Sequence, residues 1–397
     1  MTTRRDALQR LFTSVSLLSA MDLLSACGGG DDDRGSDDSP SPAPSPVGNP
    51  PAPAPRPSPW AYVMNTSASP AGTGVTAVAL NATTGIAESI VGTIANIGSP
   101  TALCLAADGS FLYVTDSSSH TVVIYSVDRA TGAISLASTP TVPAGTSPTS
   151  LALHPNEDIL YVCNFGSADI WAFRIDRATG IPSRFSVAPG SGRGSPVGVT
   201  VHPSGKFLYL SEDEQGCVST YTIGADGSLA LADSMALVSD FPGPVSIDPS
   251  GRFAFFSQYQ DSSLRVVPID PQTGILIEPA TRLIRMPPPF NYVRLAFHPQ
   301  RPDCVYATVG NQDVGQFTLD AATGDLALVR RVTVASAQTL DAVRVDASGK
   351  RLYACDSSSA EMHTFSCDEA TGQLTYQGAG EAGELPSDFV LFDGWNS

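Results

Sequence analysis

One pattern governs what this chain can become: a unit of about 48 residues is repeated from Ser99 to the C-terminus. Its clearest copy is Ser-Pro-Thr-Ser-Leu-Ala-Leu-His-Pro-Asn-Glu-Asp-Ile-Leu-Tyr-Val-Cys-Asn, residues 147–164. A turn glycine stands at Gly85, Gly132, Gly180, Gly227, Gly274, Gly324 and Gly372, with spacings of 47, 48, 47, 47, 50 and 48. An aromatic residue recurs at Tyr62, Tyr113, Tyr161, Tyr209, Phe255, Tyr306 and Tyr353. Prolines open the unit at Pro100, Pro148, Pro196, Pro242 and Pro386, with Tyr292 and Leu340 in the two remaining places. Repeats of this period build propellers or solenoids, in which each unit covers the apolar face of its neighbour.

Within a unit the pattern is strand and turn. Leu-Ala-Leu (151–153) stops at His154-Pro155, Ile-Leu-Tyr-Val-Cys (159–163) follows, and Ile-Trp-Ala-Phe-Arg-Ile (170–175) runs to the Asp-Arg-Ala-Thr-Gly turn. A weaker fourth strand comes after. Short apolar runs bounded by Gly, Pro, Asn and Asp signal antiparallel strands, and no segment after Trp60 has a helical period. Four strands over seven units predict an all-β fold, a seven-bladed β-propeller with four antiparallel strands per blade. The first unit lacks its proline-led innermost strand, and Pro386-Ser-Asp-Phe-Val-Leu-Phe392 is that strand with nothing after it. The C-terminal strand is therefore expected to close the first blade, which spares the ring two open edges. Residues 60–397 form one structural domain on this reading.

Two segments precede the ring. Residues 1–26 have a basic start and a short apolar run, the pattern of a signal peptide rather than a membrane span. Leu24-Ser25-Ala26-Cys27 resembles the bacterial lipoprotein box, which implies lipidation of Cys27; the alternative is an ordinary cleaved signal with an accidental cysteine. Arg4 and Arg5 match a twin-arginine signal as well as a plain basic start, so the export route stays open. Residues 27–59, rich in Gly, Asp, Ser, Ala and Pro, read as a disordered linker holding the ring off a bilayer. Gly28 after the cysteine points by resemblance to the outer membrane, so the chain is expected to be exported, as a periplasmic or surface-facing lipoprotein.

Charge narrows the partners. A formal net charge of -17 repels phosphate backbones, which argues against nucleic acid. Membrane contact is expected through the lipid anchor only, and the ring is expected to be a monomer. Cys104, Cys163, Cys217, Cys304, Cys355 and Cys367 permit up to three bridges, but buried free thiols are the simpler reading. No CxxC or mixed Cys/His spacing suggests a metal, and no cofactor is expected. His154, His202 and His298 share one repeat position before proline, which marks a turn device, while His120 and His363 look solitary.

Functional groups on propellers favour the loops at the channel mouth. There the sequence sets Arg193 and Ser195 before the fourth blade, Asp116, Asn164, Glu212, Asp213, Glu214, Gln258, Asn311 and Asp356 in the second-to-third strand loops, and Arg294 and Arg344 in first strands. Singly, such residues also cap turns and face water.

His-Pro-Ser-Gly-Lys-Phe-Leu-Tyr-Leu (202–210), the Asp-x-x-Thr-Gly turns and the 48-residue period resemble the lactonase family of seven-bladed propellers, which includes 6-phosphogluconolactonase-like enzymes. The resemblance spans residues 60–397. It implies lactone-ring hydrolysis without metal or serine nucleophile, by His, Arg and Glu on the channel rim. Where the family's fourth blade has H-P-H and D-L-G-x-D, this chain has Ser195-Pro196-Val197 and Glu212-Asp213-Glu214-Gln215-Gly216. Both histidines are absent; Arg193 then stands as the group polarising the carbonyl and Glu212 as the general base. Ser195, Asp116, Asn164, Asp213, Glu214, Gln258, Asn311 and Asp356 would line the binding surface. The expected partner is a lactone or carbohydrate-like small molecule. The alternative is a non-catalytic propeller that binds a ligand or an envelope protein, which export favours because phosphogluconolactone is an intracellular sugar phosphate.

Overall fold

The computed structural model describes residues 59–66, 73–95, 97–156, 158–214, 216–236, 242–258, 263–278, 282–285 and 295–392. Cys27, the linker and Arg294 lie outside them, as does the side chain of Gln258. Seven four-stranded antiparallel sheets account for the strands among these residues. From innermost to outermost, blade two holds Pro100–Leu105, Phe111–Asp116, Thr121–Val127 and Ile134–Pro143. Blade three holds Pro148–Leu153, Ile159–Asn164, Asp169–Ile175 and Pro182–Pro189, and blade four Pro196–Val201, Phe207–Glu212, Cys217–Ile223 and Leu229–Ala236. Blade five has Ser246–Ile247, Phe253–Gln258, Ser263–Pro268 and Arg282–Arg285; blade six has Leu295–His298, Arg301–Val309, Asp313–Leu319 and Leu326–Thr333. Blade seven consists of Leu340–Val345, Arg351–Asp356, Glu361–Cys367 and Leu374–Glu381.

Blade one is completed by the tail, in the order Pro386–Phe392, Trp60–Thr66, Thr73–Leu80, Ala87–Ala95. The closing strand repeats a local detail of the others. In blades two, three, four and seven the register slips after the first residue of the innermost strand, at Pro100, Pro148, Pro196 and Leu340. The tail does the same, with Pro386 opposite Asn65 and Asp388 opposite Met64. Blade five departs from the expectation that Pro242 opens a full strand: Pro242 makes an isolated bridge, and the strand itself is reduced to Ser246–Ile247. Pro100, Pro148 and Pro196 open full strands, so the difference is the second proline, Pro244, which supplies no amide donor to the ladder.

Burial explains why the strands read as they do. Second strands such as Ile159–Asn164 and Phe207–Glu212 are buried at every position, because a blade lies against each of their faces. They therefore show continuous apolar runs instead of alternation. Outer strands such as Leu326–Thr333 are mostly exposed. Among the described residues apolar side chains collect in seven clusters; one joins Trp60, Tyr62 and Val75 to Leu103, Leu112 and Tyr125 of the next blade, and another joins Ala61, Val63 and Phe389 to Tyr353 and Met362.

The two most regular residues of the repeat meet across these interfaces. The hydroxyls of Tyr113, Tyr161, Tyr209 and Tyr306 donate to the carbonyls of Gly180, Gly227, Gly274 and Gly372 at 3.0, 2.9, 2.8 and 2.6 Å, each from one blade to the next. The glycine has a positive φ, and a Cβ on Gly180 would lie 2.3 Å from the Phe111 ring, so both backbone and space demand glycine. Two of the three repeat histidines, His154 and His202, also bind across blades. Nε2 of His154 meets Gly205 O at 2.9 Å and that of His202 meets Gly251 O at 2.8 Å, while their Nδ1 atoms accept the amides of Asn156 and Ser204. All six cysteines after Cys27 are unpaired thiols.

Candidate functional site

The first residue of an innermost strand pairs with the last residue of the second, as Pro100 does with Asp116 and Pro196 with Glu212. This register brings the loop before the innermost strand beside the hairpin that joins the second strand to the third. In blades two, three, four and seven that hairpin has four residues, and the fourth holds a positive φ: His120 at 58°, Ala168 at 52°, Gly216 at 56° and Ala360 at 61°. Three of these are not glycine, so the turn is held by its surroundings.

Carboxylates at the strand ends do much of that holding. Asp116 accepts the amides of Gly98, Ser99 and Ser118 and the hydroxyls of Ser118 and Ser119 at 2.7–3.2 Å. Burial alone would raise its carboxyl, but the hydroxyls of Ser119 and Ser118 and the amides of Ser99 and Ser118 outweigh it and hold the group below the usual carboxylate range. Asp356 accepts the amides of Gln338, Thr339 and Ser358 at 2.6–2.9 Å. It too is held low, the donors winning against burial. Asp213 accepts the Ser195 amide at 3.1 Å. These acids tie each loop to its own blade.

Blade four brings Arg193, Ser195, Glu212, Asp213 and Glu214 together. Glu212 is fully buried and accepts from the Ser191 amide at 2.9 Å, the Ser219 hydroxyl at 2.5 Å and the Cys217 thiol at 3.3 Å. Above it runs Gly190-Ser191-Gly192-Arg193-Gly194, whose fit is close: a Cβ on Gly194 would lie 1.8 Å from Asp213 O. Arg193 and Glu214 are exposed, and among the described residues the Arg193 guanidinium pairs with no carboxylate. Asn164 is buried, with its amide nitrogen 2.9 Å from Asp169 and its Oδ1 unpartnered, and Asn311 is exposed on blade six. These rim residues sit on separate blades.

His363 is not solitary, as its sequence position suggests, because it lies on the third strand of blade seven, directly below the rim. Its Nε2 is 3.7 Å from Asp356 and 3.9 Å from Glu361, and its Nδ1 is 3.2 Å from the Tyr376 hydroxyl. Burial lowers the imidazole below its ordinary range, against the pull of Glu361 and Asp356. The hairpin pairing of Asp356 with Glu361 hinted at two carboxylates side by side, but nothing in the repeat marks a histidine two residues on. Among the described residues no cluster of His, Cys, Asp and Glu could hold a metal ion, and no helix is long and apolar enough to cross a membrane.

Chemically, blade four offers an exposed cation, backbone donors and a carboxylate sealed by a glycine-rich loop. No curated protein matches the sequence. Among solved structures, a 6-phosphogluconolactonase candidate from Bacteroides uniformis superposes with a TM-score of 0.72 at 18% identity, over 84% of this chain and 99% of its own. A protein of the same description from Bacteroides fragilis gives 0.70 at 18%, over 85% and 98%. The periplasmic gluconolactonase of Pseudomonas aeruginosa gives 0.67 at 16%, over 84% and 99%. At such identities these likenesses speak for the fold. The sequence model of the family described as Lactonase, 7-bladed beta-propeller, matches residues 61–196 and 189–291, more than half of the chain. With seven closed blades and that match, the chain belongs to the lactonase family of seven-bladed β-propellers.

Proposed function

We propose that this protein is an exported, lipid-anchored member of the family that hydrolyses a sugar lactone or similar ring ester at the channel mouth. The observation that carries the reading is the arrangement in blade four, where one glycine-rich loop both carries exposed Arg193 and covers the Glu212 carboxylate through the Ser191 amide. Arg193 would donate to the carbonyl oxygen as negative charge develops there. Glu212 would take a proton from the attacking water, and the ring C–O bond would break with the proton passing to the leaving alcohol oxygen. Because Glu212 is sealed, Gly190, Gly192 and Gly194 would have to let the loop lift before water reaches it. Of the other rim positions, Glu214 and Asn311 are exposed enough to meet a ligand directly. The lipobox cysteine Cys27, the spacer 27–59 and the periplasmic location named for the Pseudomonas aeruginosa propeller support placement in the envelope, with the outer membrane favoured.

The test is a panel of δ- and γ-lactones with the purified protein and with Glu212→Gln and Arg193→Ala. A loss of about a hundredfold in each variant is expected for a general base and a charge-stabilising donor. No rate above buffer, or one that neither substitution changes, removes the enzymatic reading. A second reading, a non-catalytic propeller binding a small molecule or an envelope protein, is favoured by one observation: Asp116, Asp213 and Asp356 are already engaged by loop amides.

A further inference from the structure

The innermost strands surround the axis of the ring, and among their described residues just three are charged: Asp341 and Arg344 in blade seven and Asp388 in the closing strand. Arg344 lies opposite the repeat aromatic Tyr353. The residues opposite the same aromatic in the other blades are Cys104, Ala152, Thr200, Ser246, Ala296 and Val390, all neutral and small. One side of the shaft is thus charged, and the rest is neutral.

Holding the ring shut does not explain the charges. Neighbouring innermost strands elsewhere are joined by neutral bonds: Thr101 to Pro148 O at 2.9 Å, Thr149 to Pro196 O at 3.0 Å and Thr200 to Val245 O at 2.7 Å. Between blades seven and one the link is Arg344 Nη2 to Asp388 Oδ1 at 2.8 Å. An ion pair drawn out of water seldom holds better than a neutral substitute, so its presence here asks for another role. The Asp388 side chain is 5% exposed, whereas Arg344 keeps 30%. Besides Asp388, the guanidinium donates to Val343 O at 3.1 Å, which among the described residues leaves three of its five N–H groups.

We propose that Arg344 and Asp388 form a ligand site in the channel for a neutral, polyhydroxylated ring ester. This rests on the lactone reading above and deepens it: while Arg193 meets the carbonyl, the planar N–H fork of Arg344 donates to hydroxyl oxygens of the ring and the Asp388 carboxylate accepts a ring hydroxyl. The strand that closes the ring supplies Asp388, so the site exists only in the closed propeller.

The test uses the whole exported protein and glucono-δ-lactone, with binding read by ligand-observed NMR and hydrolysis by proton release. Arg344→Gln is expected to raise the dissociation constant about tenfold or more, the usual loss for a hydrogen bond to a charged donor. The charge-exchanged double variant, Arg344→Asp with Asp388→Arg, is expected to melt like the parent and still bind poorly, which a mere latch would not do. Arg344→Lys keeps the charge but not the fork and is expected to weaken binding as well. Parental affinity in any folded variant of the three, or no binding by the parent, overturns the site. Binding that depends on Arg344 without hydrolysis leaves the site and sinks the enzymatic reading; hydrolysis unchanged by Arg344→Gln does the reverse.

Discussion

Replacing the interface tyrosines by phenylalanine one blade at a time separates a working inter-blade bond from simple filling of space. In Tyr113, Tyr161, Tyr209 and Tyr306 the hydroxyl is buried and donates to a turn carbonyl of the next blade at 2.6–3.0 Å. Each Tyr→Phe change keeps the ring in place and leaves a buried carbonyl without its donor, at about 1–2 kcal/mol. The sites are a blade apart and share no partner, so the losses should add to within about 0.5 kcal/mol per pair, and the fourfold variant should lose about 4–8 kcal/mol. That is a large part of the stability of a typical domain. Tyr62 is the internal control. Its hydroxyl is buried with no partner among the described residues, so Tyr62→Phe should cost nothing or stabilise slightly. Phe255, which already occupies the equivalent place in blade five, shows that the ring alone fits. Urea unfolding followed by tryptophan fluorescence reads the differences. If Tyr62→Phe costs as much as the other four, or if each of those costs less than about 0.3 kcal/mol, the bond is not what the repeat provides.

Two further outcomes follow from the same geometry. Deleting residues 386–397 removes fully buried Phe389 and the pairing of Pro386–Phe392 with Trp60–Asn65, so soluble, cooperatively melting protein should no longer be obtained; a truncated chain with the parental melting temperature would refute the closure. The second is a pH dependence. Burial lowers the His363 imidazole below its ordinary 6.5, so the unfolded chain binds the proton more tightly, and the stability this group contributes is present above that value and lost as pH falls below it. The depressed carboxyls of Asp116 and Asp356 add a later loss, beginning as pH falls through their ordinary 3.8. Urea midpoints between neutral pH and about pH 5.5 should fall for the parent and fall less for His363→Gln, whereas parallel curves would show that His363 carries none of the slope.

The amino-acid sequence by itself determined the number of blades, their four strands and the closure by the tail. These follow from contacts that recur at one position in every unit, so turn glycines, interface aromatics and opening prolines leave a period in the chain. The same logic exposed His154 and His202 as turn devices, since a shared position predicts a shared bond. What the carboxylates of the rim do was settled only by the tertiary structure: Asp116 and Asp356 look like a polar rim in sequence, yet loop amides 17 and 18 residues back occupy them. The meeting of His363 with Asp356 and Tyr376, and of Arg344 with Asp388, left no mark on the period either. Such pairs occur once, and their partners are chosen by side-chain packing within one blade or by the closing of the ring. A repeat records what all blades share; the chemistry that distinguishes one blade from the next appears only when their faces are brought together.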